Sequence, residues 1–259
     1  MSPSLRVQVG KLARRSISDV FRQPVLLVPN LVFPLFILAV LSANGDQITS
    51  VKGFPTHSYV SFVLGATFIQ GAASATAVAG NALGSDIETG FLSRLALTKS
   101  RTPALIAAPL AAVAVLGLIQ AAIYLLVGFA GGASVKAGVG GTVVLMAFVL
   151  LTILAFGSIG LFAAVRTGSA QQVQGLFAVA LALLFMSSMV MPRNLIEQDW
   201  FKAIATYNPM SYLVEAPRSL LISGWDAQAL ALGCGVAIVA TIVPLAVAIR
   251  TLRQRILAG

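Results

Sequence analysis

Six long stretches without a single Asp, Glu, Lys or Arg divide this chain of 259 residues: 23–45, 53–85, 102–135, 137–165, 167–192 and 227–249. Each can hold the helix of about 20 apolar residues that crosses a bilayer. Lipid offers backbone N–H and C=O groups no water, so a spanning segment must bond internally as a helix or belong to a closed barrel. Barrel strands are short and alternate apolar with polar residues, and these stretches do neither. One such stretch could be a buried helix of a soluble protein. Six leave a soluble fold too little polar surface, since only 10% of the residues are charged, against about 25% in soluble domains. The chain therefore reads as an all-α polytopic membrane protein. Six transmembrane helices are predicted over about 24–41, 58–80, 103–129, 141–164, 172–191 and 227–249, within one transmembrane domain, 24–259, preceded by a cytoplasmic segment, 1–23.

The net charge of +9 invites a nucleic-acid reading, but its placement argues against one. With those spans, twelve basic residues fall on one side: Arg6, Lys11, Arg14, Arg15, Arg22, Arg94, Lys99, Arg101, Arg166, Arg250, Arg253 and Arg255. The other side holds five: Lys52, Lys136, Arg193, Lys202 and Arg218. The positive-inside rule places the twelve, and both termini, in the cytoplasm. The expected location is the cytoplasmic membrane, multi-pass. The basic face can also attract anionic lipid. A cleavable signal peptide is not expected, because the basic region before the first apolar run is long and any cut near Ser42 and Ala43 falls beyond the usual range.

Along the chain, Leu5, Val9, Leu12, Ile17, Val20 and Phe21 recur at near-helical spacing opposite Arg6, Arg14, Arg15, Ser18 and Arg22. This predicts an amphipathic helix over 4–22 lying at the membrane interface; a basic tail that only fixes topology is the alternative. Pro29 and Pro34 fall inside the first span and should bend or locally open it. The second span is rich in small residues, from Gly71 to Gly80, which admit a close helix neighbour; packing is preferred there to ligand contact. Ser85-Asp86-Ile87-Glu88 has the spacing of a capping box, which predicts a short amphipathic helix onward through Phe91, Leu92 and Leu95. Such a helix could transmit force from a docked partner, or be a plain interfacial turn. Pro103 suits the first turn of the third span. A Gly-rich turn joins the third and fourth spans, and the short link Arg166–Ser169 joins the fourth and fifth. The segment 192–226 mixes Trp200, Phe201, Tyr207, Tyr212 and Trp225 with charges, as at a membrane interface. It is expected to form one or two short helices dipping into the outer leaflet, since a full span would bury Glu215 and Arg218. These two residues are three apart and share a helix face; they are expected near one another or near polar backbone.

Catalytic constellations are absent from the sequence. One histidine, His57, and one cysteine, Cys234, cannot assemble a familiar zinc site. There is no phosphate-binding loop and no nucleophile elbow. His57 reads as a surface or helix-start residue and Cys234 as a small apolar side chain. The spans carry no acidic or basic residue, which disfavours a carrier coupled to an ion gradient.

Taken together, these features resemble the membrane permease subunit of an ABC-2 type ABC transporter, in particular actinobacterial drug- and lipid-export permeases. The first is the basic amphipathic segment 4–22 leading into a proline-containing span. The second is the loop Ser85 to Leu95, which resembles a Glu-x-Gly-x-Leu-x-x-Leu coupling-helix pattern. The third is Tyr207 to Arg218, which resembles an Asn-Pro-x-x-Tyr-x-x-Glu-x-x-Arg stretch before the last span. The resemblance implies a dimer of permeases, either two copies or a copy and a paralogue. It implies two separate cytoplasmic ATPase subunits, which hold the ATP and Mg; no cofactor, catalytic residue or metal ligand is expected in this chain. It maps Glu88, Gly90, Leu92 and Leu95 to the element that meets the ATPase, and Ser85, Phe91 and Arg94 of the same segment are expected to serve that contact with them. It assigns Asn208, Pro209, Tyr212, Glu215 and Arg218 to outer re-entrant helices. Phe91 departs from a position where a small polar residue is common, and Pro217 is expected to interrupt the last short helix. The implied function is ATP-driven export of a hydrophobic or amphipathic molecule such as a drug, natural product or lipid, with antibiotic resistance among the family's roles. A membrane scaffold that transports nothing, or an ion-coupled carrier, is the alternative.

Overall fold

The computed structural model describes Gly10, Arg14, Arg15, Ser18 and residues 24–43, 45–90 and 102–258. Its elements among these residues are α1 (Pro24–Ala43), α2 (Gly45–Thr49), α3 (Tyr59–Glu88), α4 (Thr102–Ala130), α5 (Gly138–Thr167), α6 (Ala170–Phe185), a 3₁₀ turn (Arg193–Leu195), α7 (Asp199–Tyr207), α8 (Pro209–Ile222) and α9 (Ala227–Ala258). Four of them, α3, α4, α5 and α9, are long and apolar enough to cross a membrane, and α1 and α6 carry shorter apolar runs, Val28–Ala43 and Ala170–Phe185. The chain is an all-α, multi-pass membrane protein. Two ends of the bundle can be told apart. Glu88 and Ala170 meet at the proximal end; Phe62, Ser188 and Arg218 meet at the distal end.

The centre of the bundle is α3. Nearly every residue from Tyr59 to Gly84 is buried, enclosed by α1, α4, α5, α6 and α8. Small side chains make this possible. A Cβ on Gly160 of α5 would lie 2.1 Å from the carbonyl oxygen of Thr76, and one on Gly80 would lie 2.8 Å from the carbonyl oxygen of Gly160. Backbone therefore meets backbone, and Thr76 adds a hydrogen bond from Oγ1 to the Phe156 carbonyl at 3.2 Å. In lipid there is no hydrophobic force between helices, so close van der Waals packing and interhelical hydrogen bonds carry the association. The outer helices turn apolar side chains outward: Phe36 on α1, Leu126 on α4, and Val239, Ile242 and Val243 on α9 are exposed.

Several expectations are corrected. Ser85–Glu88 does not start a helix; it is the last turn of α3, which runs from Tyr59 to Glu88 without a break. The termination signal is Thr89-Gly90. Thr89 bonds the Ser85 carbonyl through both N–H and Oγ1, and Gly90 bonds the Ile87 carbonyl at φ +66°, a left-handed conformation open to glycine. The fifth apolar helix stops at Phe185 rather than at 191. Pro217 does not interrupt α8, which continues to Ile222. Pro209 starts that helix at its first position, where a missing N–H costs nothing. Pro103 lies in the first turn of α4, as its position suggests. The amphipathic segment 4–22 falls outside the described residues except for Gly10, Arg14, Arg15 and Ser18. Phe91, Leu92, Arg94 and Leu95 lie outside them as well.

Candidate functional site

A proline inside α1 prepares the first feature of the site. A proline at position i leaves the carbonyl of residue i−4 without its helical partner. Pro34 frees the carbonyl of Asn30, and α4 takes it: Gln120 Nε2 donates to it at 2.7 Å and Tyr124 Oη at 3.1 Å. Gln120 and Tyr124 are four apart, one turn along a single face of α4, and bond each other as well. The break in α1 is thus satisfied by its neighbour, as irregular backbone in a bilayer must be.

Beside this break lies a cavity of about 160 Å³, lined by Pro29, Asn30, Phe33 and Pro34 of α1, Gln70 and Ser74 of α3, and Phe177 and Leu181 of α6. Gln70 is only 2% exposed, and neither its amide nitrogen nor its oxygen has a partner among the described residues. It lies eleven residues into α3, about 16 Å along the helix at 1.5 Å per residue. With the hydrocarbon boundary at Tyr59, where α3 begins, that depth falls near the middle of a core about 30 Å thick. An unmade pair of amide bonds costs about 1–3 kcal/mol per group, so the site favours any partner that brings a donor or acceptor.

The motif 207–218 assembles the distal end. Its polar residues form a stripe on α8 that faces the backbone just beyond α6. Asn208 acts on two helices at once: its Oδ1 accepts from Met210 N–H at 2.9 Å, capping α8, and its Nδ2 donates to the Leu183 carbonyl at 2.6 Å, closing α6. Ser211 Oγ accepts from Ser188 N–H at 3.1 Å. Arg218, itself 7% exposed, donates to the carbonyls of Phe62 at 3.1 Å, Ser188 at 2.8 Å and Met189 at 2.9 Å. Its Cζ stands 3.5 Å from the centre of the Phe62 ring, a favourable place for a cation. These bonds explain the early end of α6. Residues 186–190 leave helical geometry because side chains of α8, together with Tyr59 Oη on the Val190 carbonyl, satisfy their backbone groups instead.

Glu215 accepts from Arg193 Nε at 2.7 Å, from Arg193 Nη2, and from Ser188 Oγ at 2.9 Å. That carboxylate holds the Arg193 guanidinium above its ordinary pKa against the pull of burial. Tyr212 supplies a ring beneath Arg193 at 4.6 Å and donates its hydroxyl to the Thr206 carbonyl at 2.8 Å. Arg193, Glu215, Arg218 and Asp226 line a vestibule of about 460 Å³ beside these contacts. The expectation that Glu215 and Arg218 lie near one another or near polar backbone resolves into separate partners: Arg193 and Ser188 for Glu215, carbonyls for Arg218.

At the proximal end Ser85 and Glu88 are exposed on the last turn of α3. Glu88 Oε1 accepts from the Ala170 N–H at 3.0 Å. A Cβ on Gly90 would meet no atom within 4 Å, so the role of this glycine is conformational. Among the described residues no three His, Cys, Asp or Glu side chains cluster as metal ligands would. Gln70, Gln120, Asn30 and Arg193 belong to no motif visible in the sequence. A signal was there: an amide within an otherwise apolar span is costly and asks for a reason.

A buried helix in an apolar bundle, with four helices long and apolar enough to cross a bilayer, defines a multi-pass membrane protein. Residues 7–222 match the family described as "ABC-2 type transporter". That is most of the chain, and the protein belongs to the ABC-2 type transporter family. The match ends where α8 ends, so α9 lies beyond it. Comparison with curated proteins gave no match.

Proposed function

We propose that this chain is the transmembrane subunit of an ATP-driven exporter that moves a hydrophobic or amphipathic molecule, and that ATP is hydrolysed on separate cytoplasmic ABC subunits. In this reading α1, α3, α4, α5, α6 and α9 form six spans, the proximal end and both termini are cytoplasmic, and α7 and α8 are re-entrant from the outside. The twelve-to-five division of basic residues supports that orientation. Two permeases and two ATPases make the working complex. The segment Ser85 to Leu95 meets the ATPase, and the motif Asn208 to Arg218 shapes the outer exit.

The observation that carries the reading is the mid-membrane cavity with Gln70 at its wall. Its lining is apolar apart from Asn30, Gln70 and Ser74. A mostly apolar surface with a few placed polar groups fits an amphipathic ligand, whose hydroxyl, carbonyl or amide could complete the Gln70 bonds. Inverted membrane vesicles containing the permease and its co-expressed ATPase test the function. ATP-dependent uptake of a lipophilic dye is expected. Dye movement that ignores ATP and collapses with an ion gradient would put a carrier in its place.

A further inference from the structure

The helix α6 begins without a cap of its own. Ser169 stands at the N-cap position but makes no side-chain cap bond. The first N–H of the helix, on Ala170, is taken instead by Glu88 Oε1 of α3 at 3.0 Å. A carboxylate there also meets the positive end of the helix dipole. The contact is built into α3 over three successive turns. A Cβ on Gly84 would lie 2.8 Å from Ala170 N and 3.0 Å from its Cα. One turn further in, a Cβ on Gly80 would lie 2.3 Å from Val173 Cγ1. Positions 80, 84 and 88 fall on one face of a helix, and that face is fitted to the first turn of α6.

From these contacts we infer that Glu88 is a positioning residue that passes a movement of the end of α3 on to α6, rather than a residue that binds the ATPase. The Glu88 bond ties α3 to α6, which lines the Gln70 cavity through Phe177 and Leu181. A displacement at Glu88 therefore reaches two walls of that cavity together, α3 and α6. This rests on the reading above that an ATPase meets the chain next to Glu88. It changes the part assigned to Glu88, whose carboxylate already has an internal partner.

Full-length permease purified with its co-expressed ATPase decides the matter, using Glu88→Ala and Glu88→Gln. Gln keeps an oxygen that can accept from Ala170, and Ala removes it. Amide hydrogen exchange at Ala170 should quicken about fivefold in Glu88→Ala, the usual worth of a cap, and return close to the starting rate in Glu88→Gln. The amount of bound ATPase should be unchanged in both. ATP-driven dye transport per bound ATPase should fall about tenfold in Glu88→Ala, within the range typical of coupling between sites, and recover in Glu88→Gln. Unchanged exchange at Ala170 overturns the inference, and so does faster exchange with undiminished transport. Loss of bound ATPase with unchanged exchange returns Glu88 to the docking surface and also overturns it. If no ATPase accompanies even the wild-type chain, the exporter reading falls and takes the transmission role with it, while the exchange contrast still reports the clamp.

Discussion

Glu215 and Arg218 sit three apart on one face of α8, yet their hydrogen bonds go elsewhere: Glu215 takes Arg193 and Ser188, and Arg218 takes the carbonyls of Phe62, Ser188 and Met189. Opposite charges at that spacing commonly pair. Here the arginine closes the unravelled end of α6, and the glutamate fastens the 3₁₀ turn above it.

Arg218→Met should therefore destabilise the protein strongly, by about 3–5 kcal/mol, because three buried carbonyls lose a charged donor and Glu215 loses a neighbouring positive charge. Arg218→Lys should recover only part, since one ammonium cannot reproduce the planar fork. Exchanging the two side chains, Glu215→Arg with Arg218→Glu, should be worse than Arg218→Lys, because it sets a carboxylate against carbonyl oxygens. Thermal unfolding in detergent ranks the three variants. Equal midpoints for the exchange and the wild type would show that the carbonyl contacts carry nothing.

Gln70→Leu should raise the stability of the substrate-free protein by about 1 kcal/mol, since it removes an unpartnered buried amide. The same change should reduce ATP-driven dye transport in vesicles. A variant that unfolds more easily and still transports normally would remove Gln70 from the site.

Gly160→Val should be among the most damaging single changes in the bundle. Its Cβ would meet the Thr76 carbonyl oxygen at 2.1 Å. Backbone cannot yield as a flexible side chain does, so the cost should exceed the roughly 1–3 kcal/mol of ordinary overpacking. The amount of folded protein recovered from membranes, compared with Gly175→Val, is the measurement; Gly175 has nothing within 4 Å of its Cβ position.

Pro34→Ala restores an N–H that can claim the Asn30 carbonyl. It should weaken the tie between α1 and α4, so that Tyr124→Phe, which costs about 1 kcal/mol in the wild type, costs less in the Pro34→Ala background, where only the bond to Gln120 is lost. A double-mutant cycle on unfolding free energy reads this coupling. Additive effects would show that Tyr124 does not depend on the break in α1.

The apolar helices are legible because lipid demands long charge-free runs: four of the six runs hold helices long and apolar enough to cross, and the other two hold the shorter apolar helices Val28–Ala43 and Ala170–Phe185. What lies out of reach is contact at a distance along the chain. Glu88 looks like the N3 residue of a local capping box, since Ser85 stands at the right spacing; its actual partner is 82 residues away. The stretch Met186 to Met191 is free of charge and so reads as a continuation of α6. Nothing local shows that Arg218, 29 and 30 residues later, takes two of its carbonyls. The polar stripe on α8 is visible as a motif, while its target is not. Gln70 carries no full charge and so does not stand out within its span, although an amide at that depth poses the same question in milder form.

The burial of α3 has a consequence for how the protein is made. Its many Ala, Gly, Ser and Thr residues suit a helix that touches only protein in the finished bundle. During synthesis the chain emerges from its N-terminal end, so α3 enters the membrane before α5, α6 and α8 exist to surround it. It is the least apolar of the four long helices, and for that interval Gln70 and Thr76 lack the protein neighbours that surround them in the finished bundle. Biogenesis thus contains a waiting period, and insertion factors that shelter a half-polar helix would act on α3 first.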